Sequence, residues 1–273
     1  MDVIHQAVKQ LVNEPEESDV NPHCLSMCST KHAPTPKTPV RKKLSIKEKI
    51  GEGTFGVVYR GEYLGDENEN RESVAVKRVR LNPQYAQREL QILKTLKNTP
   101  HKNVLRLRDY STEYSEDSDT EEEETTLYLV MDYYPTTLAA LCLSLKSAVR
   151  EEAVYTIGYQ LLRGLEHIHA LDIMHRDIKP ENILYNPQNN HAVIADFGSS
   201  KLYKKGVTST SYVATRYYRA PECILDNLHY DTKVDIWSMG CVFGEMISGA
   251  PLFVGKGQCR TTVSDISPFW ISK

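Results

Sequence analysis

The sequence predicts an α+β protein in two parts, a strand-rich part containing one helix and a mainly helical part after it. Two observations carry this prediction. From Leu44 to about Asp132, apolar and polar residues alternate in several short runs, the pattern of half-buried β-strands. After Pro135, apolar residues recur three and four positions apart, as they do on amphipathic helices. Strands followed by helices are typical of α+β layouts.

The strand-rich part is predicted to open with a β-hairpin around a glycine cluster. The segment KLSIKEKIGEGTFGVVYRGEYL alternates on both sides of that cluster. SVAVKRVRL predicts a third strand, and the leucine spacing of 85–96 predicts a helix. Two further strands, 104–110 and 127–132, are expected to flank the acidic run 116–124, a solvated loop.

The helical part is predicted from two long apolar segments. AVYTIGYQLLRGLEHIHALDI and residues 234–247 both have helical spacing, and a loop-rich stretch to about Glu222 separates them. Residues 1–43, with five prolines among polar residues, predict a disordered tail. The predicted order is the tail 1–43, the strand-rich part 44–132, the helical part 133–256 and a divergent tail 257–273.

The composition is that of an ordinary globular protein, with 40% hydrophobic and 25% charged residues among 273. A net charge of −3 argues against a nucleic-acid partner. No run approaches the roughly 18 apolar residues of a membrane span, and the N-terminus lacks a signal-peptide pattern. Six scattered cysteines suit free thiols. We therefore expect a cytoplasmic or nuclear protein without a membrane partner, monomeric by default.

A glycine-rich segment is the first candidate for a functional site. Gly51, Gly53, Gly56 and Val58 fit the pattern G-x-G-x-x-G-x-V, whose glycine spacing dinucleotide-binding folds share. A dinucleotide site needs a helix at the third glycine, whereas VVYRGEY is alternating and β-branched. The loop is therefore expected to close a hairpin whose backbone N–H groups cover a nucleotide's phosphates.

A lysine in an apolar strand is the second candidate. Lys77 ends the run VAVK, 21 residues after Gly56. A lone lysine there could be an edge residue with its ammonium group in water. Glu89, however, lies on the following predicted helix before the apolar run LQIL, which is consistent with an inward-facing carboxylate.

The segment HRDIKPEN carries the strongest signal. It supplies Asp177, to orient or deprotonate a hydroxyl, and Asn182, an oxygen ligand for a hard cation. Lys179 can neutralise charge on a moving phosphoryl group. Asp196 follows the short apolar strand AVIA and offers a second carboxylate for magnesium. His175 is expected to be a structural hydrogen-bonding residue.

Taken in this order and at these intervals, the motifs resemble the eukaryotic protein kinase superfamily across about residues 45–256. The resemblance implies a bilobal fold, with a β-rich N-lobe and a mostly helical C-lobe, that binds ATP and Mg²⁺ and acts on protein substrates. Lys77 and Glu89 would hold the α- and β-phosphates, Asn182 and Asp196 the metal, and Asp177 and Lys179 the reacting groups. The implied ATP-binding residues are Gly51, Gly53, Thr54, Phe55, Gly56, Val58, Ala75, Lys77, Met131, Asp132 and Tyr133.

Within that superfamily, Lys179 before Pro-Glu-Asn is the serine/threonine form. The segments QRELQI, LVMDYYP, DFGSSK and SYVATRYYRAPE resemble glycogen synthase kinase 3 (shaggy-type) enzymes of the CMGC group. In those enzymes three basic residues bind a phosphate already present on the substrate, four residues C-terminal to the target. The matching residues are Arg88, Arg176 and Lys201, and Tyr212 matches a tyrosine that such enzymes phosphorylate on themselves.

The resemblance weakens near the C-terminus. Asp235, on the central helix, is expected to anchor the backbone of HRDIKPEN. After Gln258 the sequence no longer resembles the family, so we expect a truncated, marginally stable C-lobe without its last helices. Glu222 would then be a buried carboxylate without its usual arginine. A catalytically silent binding or regulatory protein is the alternative to an active kinase.

Overall fold

A computed structural model describes residues 44–53, 56–63, 72–80, 83–116, 123–144, 147–209, 216–225 and 227–254. The predictions for the two tails, for Thr54 and Phe55, and for Tyr212 fall outside the described residues.

The N-terminal lobe is a five-stranded antiparallel sheet in the order β1-β2-β3-β5-β4. The hairpin predicted around the glycines is confirmed, because β1 and β2 pair from Leu44↔Tyr63 to Gly53↔Gly56. The third strand and the helix α1 are confirmed as well. The bounds are β1 Leu44–Gly53, β2 Gly56–Tyr63, β3 Glu72–Arg80, α1 Pro83–Asn98, β4 Leu107–Glu116 and β5 Glu123–Asp132.

The acidic loop is shorter than the sequence suggested. Strands β4 and β5 pair as far as Glu116↔Glu123, so part of the run expected to be loop is strand. Tyrosine and threonine before and after the acidic run favour the extended backbone that continues the ladder. The strand expected from Val104 begins three residues later, and Val104 instead makes an isolated bridge with Ile194 of the second lobe.

The C-terminal lobe is mainly helical. Both predicted long helices, α3 and α5, are confirmed, and with them the α+β fold class. The bounds are β6 Thr136–Thr137, α2 Leu138–Ser144, α3 Ser147–Ala170, β7 Ile173–Met174, β8 Ile183–Asn186, β9 His191–Ile194, β10 Lys201–Leu202, α4 Pro221–Ile224 and α5 Lys233–Ser248. Within the described residues, no helix combines the length and the apolar character that crossing a bilayer requires.

Helix α3 shows why the lobe packs as it does. Ile157, Leu161, Leu165 and Ile168 recur at helical spacing, and all four are fully buried in the main core. Buried residues of α5 join the same core, so the two helices lie against each other. Helix α5 ends at Gly249, whose φ of 81° supplies the left-handed cap that only glycine adopts without strain.

A short segment before β4 ties the lobes together. The backbone carbonyl of Asn103 accepts a hydrogen bond from Ile194 N at 3.0 Å, and Leu105 N donates to Ile194 O at 2.9 Å. The Asn103 amide donates to Gln160 of α3 and to the Ala192 carbonyl. These bonds fix the edge of the sheet to the second lobe and leave a deep cavity between the lobes.

Candidate active site

The cavity between the lobes has a volume of about 710 Å³. Proteins commonly bind nucleotide-sized ligands in cavities of roughly 300–1,000 Å³. Its upper wall comes from the glycine-rich hairpin and β3, and its lower wall from the segments around Asp177 and Asp196. Most of the residues predicted from sequence lie on these walls: Gly51, Gly53, Gly56, Val58, Ala75, Lys77, Glu89, Met131, Tyr133, Asp177, Lys179, Asn182 and Asp196.

Gly56 shows why the hairpin needs glycine. Its φ is 140°, a conformation that residues with a side chain rarely adopt. A Cβ at this position would lie 2.2 Å from the backbone carbonyl oxygen of Arg78 on β3. Glycine at this position therefore lets the start of β2 pass close to the Arg78 carbonyl of β3.

Lys77 is the centre of a buried ionic cluster. Its Nζ lies 2.8 Å from Glu89 Oε1 on α1 and 2.9 Å from Asp196 Oδ1 in the second lobe. Burial alone would lower the pKa of Lys77, but the two carboxylates raise it above its ordinary value. Burial likewise opposes ionisation of Asp196, yet the Lys77 ammonium holds the pKa of that carboxyl below its usual range. The lysine therefore stays charged between the two carboxyl groups, although burial raises the pKa of Glu89 above its ordinary value.

A second cluster lies on the lower wall of the cavity. Lys179 Nζ donates to Asp177 Oδ2 at 2.8 Å. The amide nitrogen of Asn182 donates to the same carboxylate oxygen at 2.9 Å and to the Asp177 carbonyl at 2.8 Å. Because its nitrogen is engaged this way, the amide oxygen of Asn182 is the atom left for a cation. Oxygen atoms of Asn182 and Asp196 in one cavity fit the hard, oxygen-bound Mg²⁺.

The backbone around Asp177 is held from below by Asp235 of α5. This fully buried carboxylate accepts hydrogen bonds from His175 N at 2.8 Å and Arg176 N at 2.7 Å, so the anchoring role expected of it is confirmed. His169 of α3 donates to it at 2.9 Å. The bonds hold Arg176 at a φ of 66°, a strained conformation for a residue with a side chain.

Asp196 lies on the floor of the cavity, and the buried His175 supports the segment before it. The buried ring of His175 donates from Nε2 to the Ala195 carbonyl at 2.9 Å, which confirms the structural role expected for it. Asp196 has a φ of 62° and accepts a hydrogen bond from Gly198 N. The left-handed backbone turns the carboxylate of Asp196 towards Lys77 and the cavity.

Residues 131–135 form a second connection between the lobes. Met131 and Tyr133 line the cavity, whereas the Asp132 carboxylate pairs with Arg108 of β4 and the Asp132 N–H donates to the Arg106 carbonyl. Sequence reasoning missed Tyr134, which does line the cavity; its position directly after Tyr133 in LVMDYYP was the available signal.

The three basic residues assigned to a substrate phosphate are near neighbours. Burial, then the charges of Arg176 and Arg88, hold the pKa of Lys201 below its ordinary value. Arg176 is buried and donates from Nε to the Ser199 carbonyl at 2.8 Å. Lys201 donates to the Thr208 carbonyl at 2.9 Å and to Ser209 Oγ at 3.3 Å. Among described residues, the hydrogen bonds of Arg176 and Lys201 go to neutral oxygens.

Glu222 is not the buried carboxylate that the sequence suggested. It is half-buried and lines an open cavity of about 340 Å³ beside His229, Tyr230 and Asp231. Solvent reaches the carboxylate, so the cost of an isolated buried charge does not apply in full. The short helix α4 ends three residues after Pro221, which leaves Glu222 near the surface.

The fold and this constellation define a protein of the kinase class, and comparison with known proteins agrees. The family model of the protein kinase domain matches residues 44–271, and the chain belongs to that family. The chain is also 36% identical, over 230 residues, to glycogen synthase kinase 3 of Trypanosoma brucei brucei. The match covers 81% of this chain and 64% of the trypanosome protein. The similarity to the glycogen synthase kinase 3 type inferred from short motifs is thus confirmed over most of the chain.

Proposed function

We propose that this protein is a serine/threonine kinase that transfers the γ-phosphoryl group of ATP to hydroxyls of protein substrates. The observation that carries the proposal is a pair of clusters in one cavity, Lys77 with Glu89 and Asp196, and Asp177 with Lys179 and Asn182. Lys77 is suited to bind phosphates, the oxygens of Asp196 and Asn182 are suited to a metal ion, and Asp177 is suited to an attacking hydroxyl.

Each residue has a definite part in the transfer. Lys77, held by Glu89, binds the α- and β-phosphates, while Asn182 and Asp196 hold Mg²⁺. The chemistry that Mg²⁺ supplies in such a site is neutralisation of charge on the phosphate oxygens. Asp177 orients the substrate hydroxyl and accepts its proton as the new oxygen–phosphorus bond forms and the bond to ADP breaks. Lys179 offsets negative charge on the group in transit.

Incubation of the purified chain with γ-labelled ATP, Mg²⁺ and a serine peptide tests the proposal. We expect label on the peptide from the wild-type chain and none from Asp196→Ala. Circular dichroism of both proteins checks that they are folded. A folded wild-type chain that transfers no label would overturn the proposal and favour the silent binding protein.

The finer proposal is that the preferred substrates already carry a phosphate four residues C-terminal to the target. Arg88, Arg176 and Lys201 support it, because a dianion would supply the counter-charge that the neutral oxygens around Arg176 and Lys201 do not. Charge-assisted bonds of this kind contribute roughly 1.5–3 kcal/mol each. The trypanosome relative is of the enzyme type that gave this expectation.

Arg88→Ala tests this preference with a pair of peptides that differ only in the phosphate. The exposed Arg88 lies outside the ATP cavity, so the variant should lose activity on the phosphorylated peptide by tenfold or more and keep it on the other. Lys94→Ala, which removes another exposed cation of α1, is the matched control. Equal loss on both peptides would refute the preference without touching the kinase assignment.

A further inference from the structure

The strand β2 carries an arginine on the cavity side of the sheet that the catalytic set does not use. In the β2–β3 ladder Val58 lies opposite Lys77 and Arg60 lies opposite Ala75. Opposed residues of antiparallel strands share a face, so Arg60 lies on the face that Val58, Lys77 and Ala75 present to the cavity. It follows Val58 in the direction away from Gly56.

Arg60 contacts the segment that joins the two lobes. Its guanidinium carbon lies 5.3 Å from the ring centroid of Tyr133, within the range of a cation–π contact. Tyr133 itself lines the nucleotide cavity, whereas Arg60 does not. Arg60 therefore contacts a residue of the cavity wall without lining the cavity itself.

The guanidinium is held in place by both neighbouring strands. Nη2 donates to Ser73 Oγ of β3 at 3.3 Å, and Nη1 donates to Glu48 of β1 at 3.4 Å. The side chain is 37% exposed, and its buried Nε has no hydrogen-bond partner in the described part of the chain. These two bonds hold the guanidinium near the Tyr133 ring, and the cation–π contact limits the orientations open to that ring.

Asp132, the residue before Tyr133, is bound by a second arginine. Arg108 of β4 pairs with Asp132 and makes a two-fold contact with Glu72 of β3, at 2.7 and 2.8 Å. Asp132 and Tyr133 are thus each tied to the sheet by a guanidinium. Among these contacts only that of Arg60 falls on a residue of the cavity wall.

We propose that Arg60 is a positioning residue for the base of the nucleotide, acting through the ring of Tyr133. The inference rests on the proposed nucleotide site. Loss of the guanidinium would free the ring and the adjoining backbone, so the base would bind to a segment that it must first order. Binding should weaken while the phosphates and the transfer step are unaffected.

Titration calorimetry with ADP and Mg²⁺, and separately with adenosine, tests the proposal. We expect Arg60→Gln to raise both dissociation constants about fivefold, which corresponds to about 1 kcal/mol. Arg60→Lys should restore part of the affinity, because an ammonium keeps the cation but loses the planar stack. In steady-state assays KM for ATP should rise with kcat within twofold. An effect on ADP but none on adenosine would mean attraction to phosphates and would overturn the proposal.

A double-mutant cycle separates the tyrosine contact from a general loss of stability. The double variant Arg60→Gln/Tyr133→Leu should raise the dissociation constant of adenosine by less than the product of the fold-changes of the two single variants. Independent effects would contradict the proposal. Lys47→Gln removes the nearby β1–β2 ion pair with Glu62, which has no cavity contact, and should leave binding unchanged. If the wild-type chain binds neither ADP nor adenosine, the proposed function itself fails.

Discussion

At the scale of single residues, the site depends on charges that are held between opposite charges. Lys77 is buried and lies between Glu89 and Asp196, which come from different lobes. Removing one partner of such a cluster leaves the mostly buried Lys77 charge less completely paired, which costs more than losing a surface pair. The residues nearest the chemistry are therefore also the least tolerant of substitution.

We predict that Glu89→Gln lowers kcat/KM for ATP by at least tenfold. Without the charge of Glu89 the Lys77 ammonium is paired with the carboxylate of Asp196 alone, which draws it away from the proposed phosphate position and occupies the proposed metal ligand. Steady-state kinetics measure the loss. Glu62→Gln, the same change in the surface pair with Lys47, should change kcat/KM by less than twofold. Equal effects of the two variants would contradict this account of Lys77.

Asp235 gives the corresponding prediction for folding. Asp235→Ala leaves His175 N and Arg176 N without an acceptor in the core, so the free energy of unfolding should fall by about 3–5 kcal/mol. Asp235→Asn keeps one carbonyl oxygen and should cost about half as much. Urea denaturation followed by fluorescence measures both. A loss below about 1 kcal/mol for the alanine variant would mean that Asp235 does not anchor the strained loop.

At the scale of elements, helix α3 contains two glycines with different surroundings. A Cβ on Gly164 would lie 2.6 Å from the backbone carbonyl oxygen of Asn103, in the short segment before β4. A Cβ on Gly158 would meet only the ring of Phe243, at 3.4 Å. Glycine in a helix interior otherwise costs about 0.5–1 kcal/mol relative to alanine.

We therefore predict opposite effects for the same substitution. Gly164→Ala should lower the free energy of unfolding by about 1–3 kcal/mol, because backbone atoms must move apart to admit the methyl group. Gly158→Ala, its control, should be neutral or stabilising by up to about 1 kcal/mol. Thermal melts of the two variants measure the two changes in stability. A more stable Gly164→Ala variant would show that the backbone of Asn103 does not pack closely against α3.

The short segment before β4 also contains His101, whose stacking on His167 should make the stability of the fold depend on pH. His101 and His167 lie 5.0 Å apart, and Nδ1 of His101 accepts a hydrogen bond from Asn103 N. Burial, then the nearby cations, hold the pKa of His101 below its ordinary value. The titratable groups around it are His167, Arg163, Lys102 and Glu166.

A lowered pKa means that the unfolded chain binds the proton more readily than the folded chain. The stability due to neutral His101 is therefore present above pH 6.5 and is lost as the pH falls through the lowered pKa. His101→Asn keeps an acceptor for Asn103 N but does not titrate. Between pH 7 and 5 its melting temperature should fall less than that of the wild-type chain. Parallel curves for the two proteins would contradict the prediction.

At the scale of the whole molecule, the proposed function requires that groups far apart in sequence meet in one cavity. Lys77 and Asp196 are 119 residues apart and their side chains lie 2.9 Å from each other. The sheet fixes the first and the segment after β9 fixes the second. The bonds between Asn103, Ala192 and Ile194 hold the two lobes in register.

The sequence predicted the parts of this arrangement that depend on local pattern. Alternation around Gly56 and the apolar spacing of α3 and α5 predicted the elements, and the order of motifs predicted which residues would share the cavity. Contacts across strands left no local signal. The pairing of Arg108 with Asp132, the stacking of Arg60 on Tyr133 and the partial exposure of Glu222 arise from register and packing, so the sequence alone could not predict them.

The most direct test of the account is a comparison of γ-labelled and α-labelled ATP with one folded preparation of the chain and a serine peptide. We predict that only label from the γ-position reaches the peptide serine and that the transfer requires Mg²⁺. Asp177→Ala should lower the transfer rate by at least 100-fold, although the variant still binds ADP. A chain that binds ADP with Mg²⁺ but leaves the peptide unlabelled, or an Asp177→Ala variant as fast as the wild type, would contradict it.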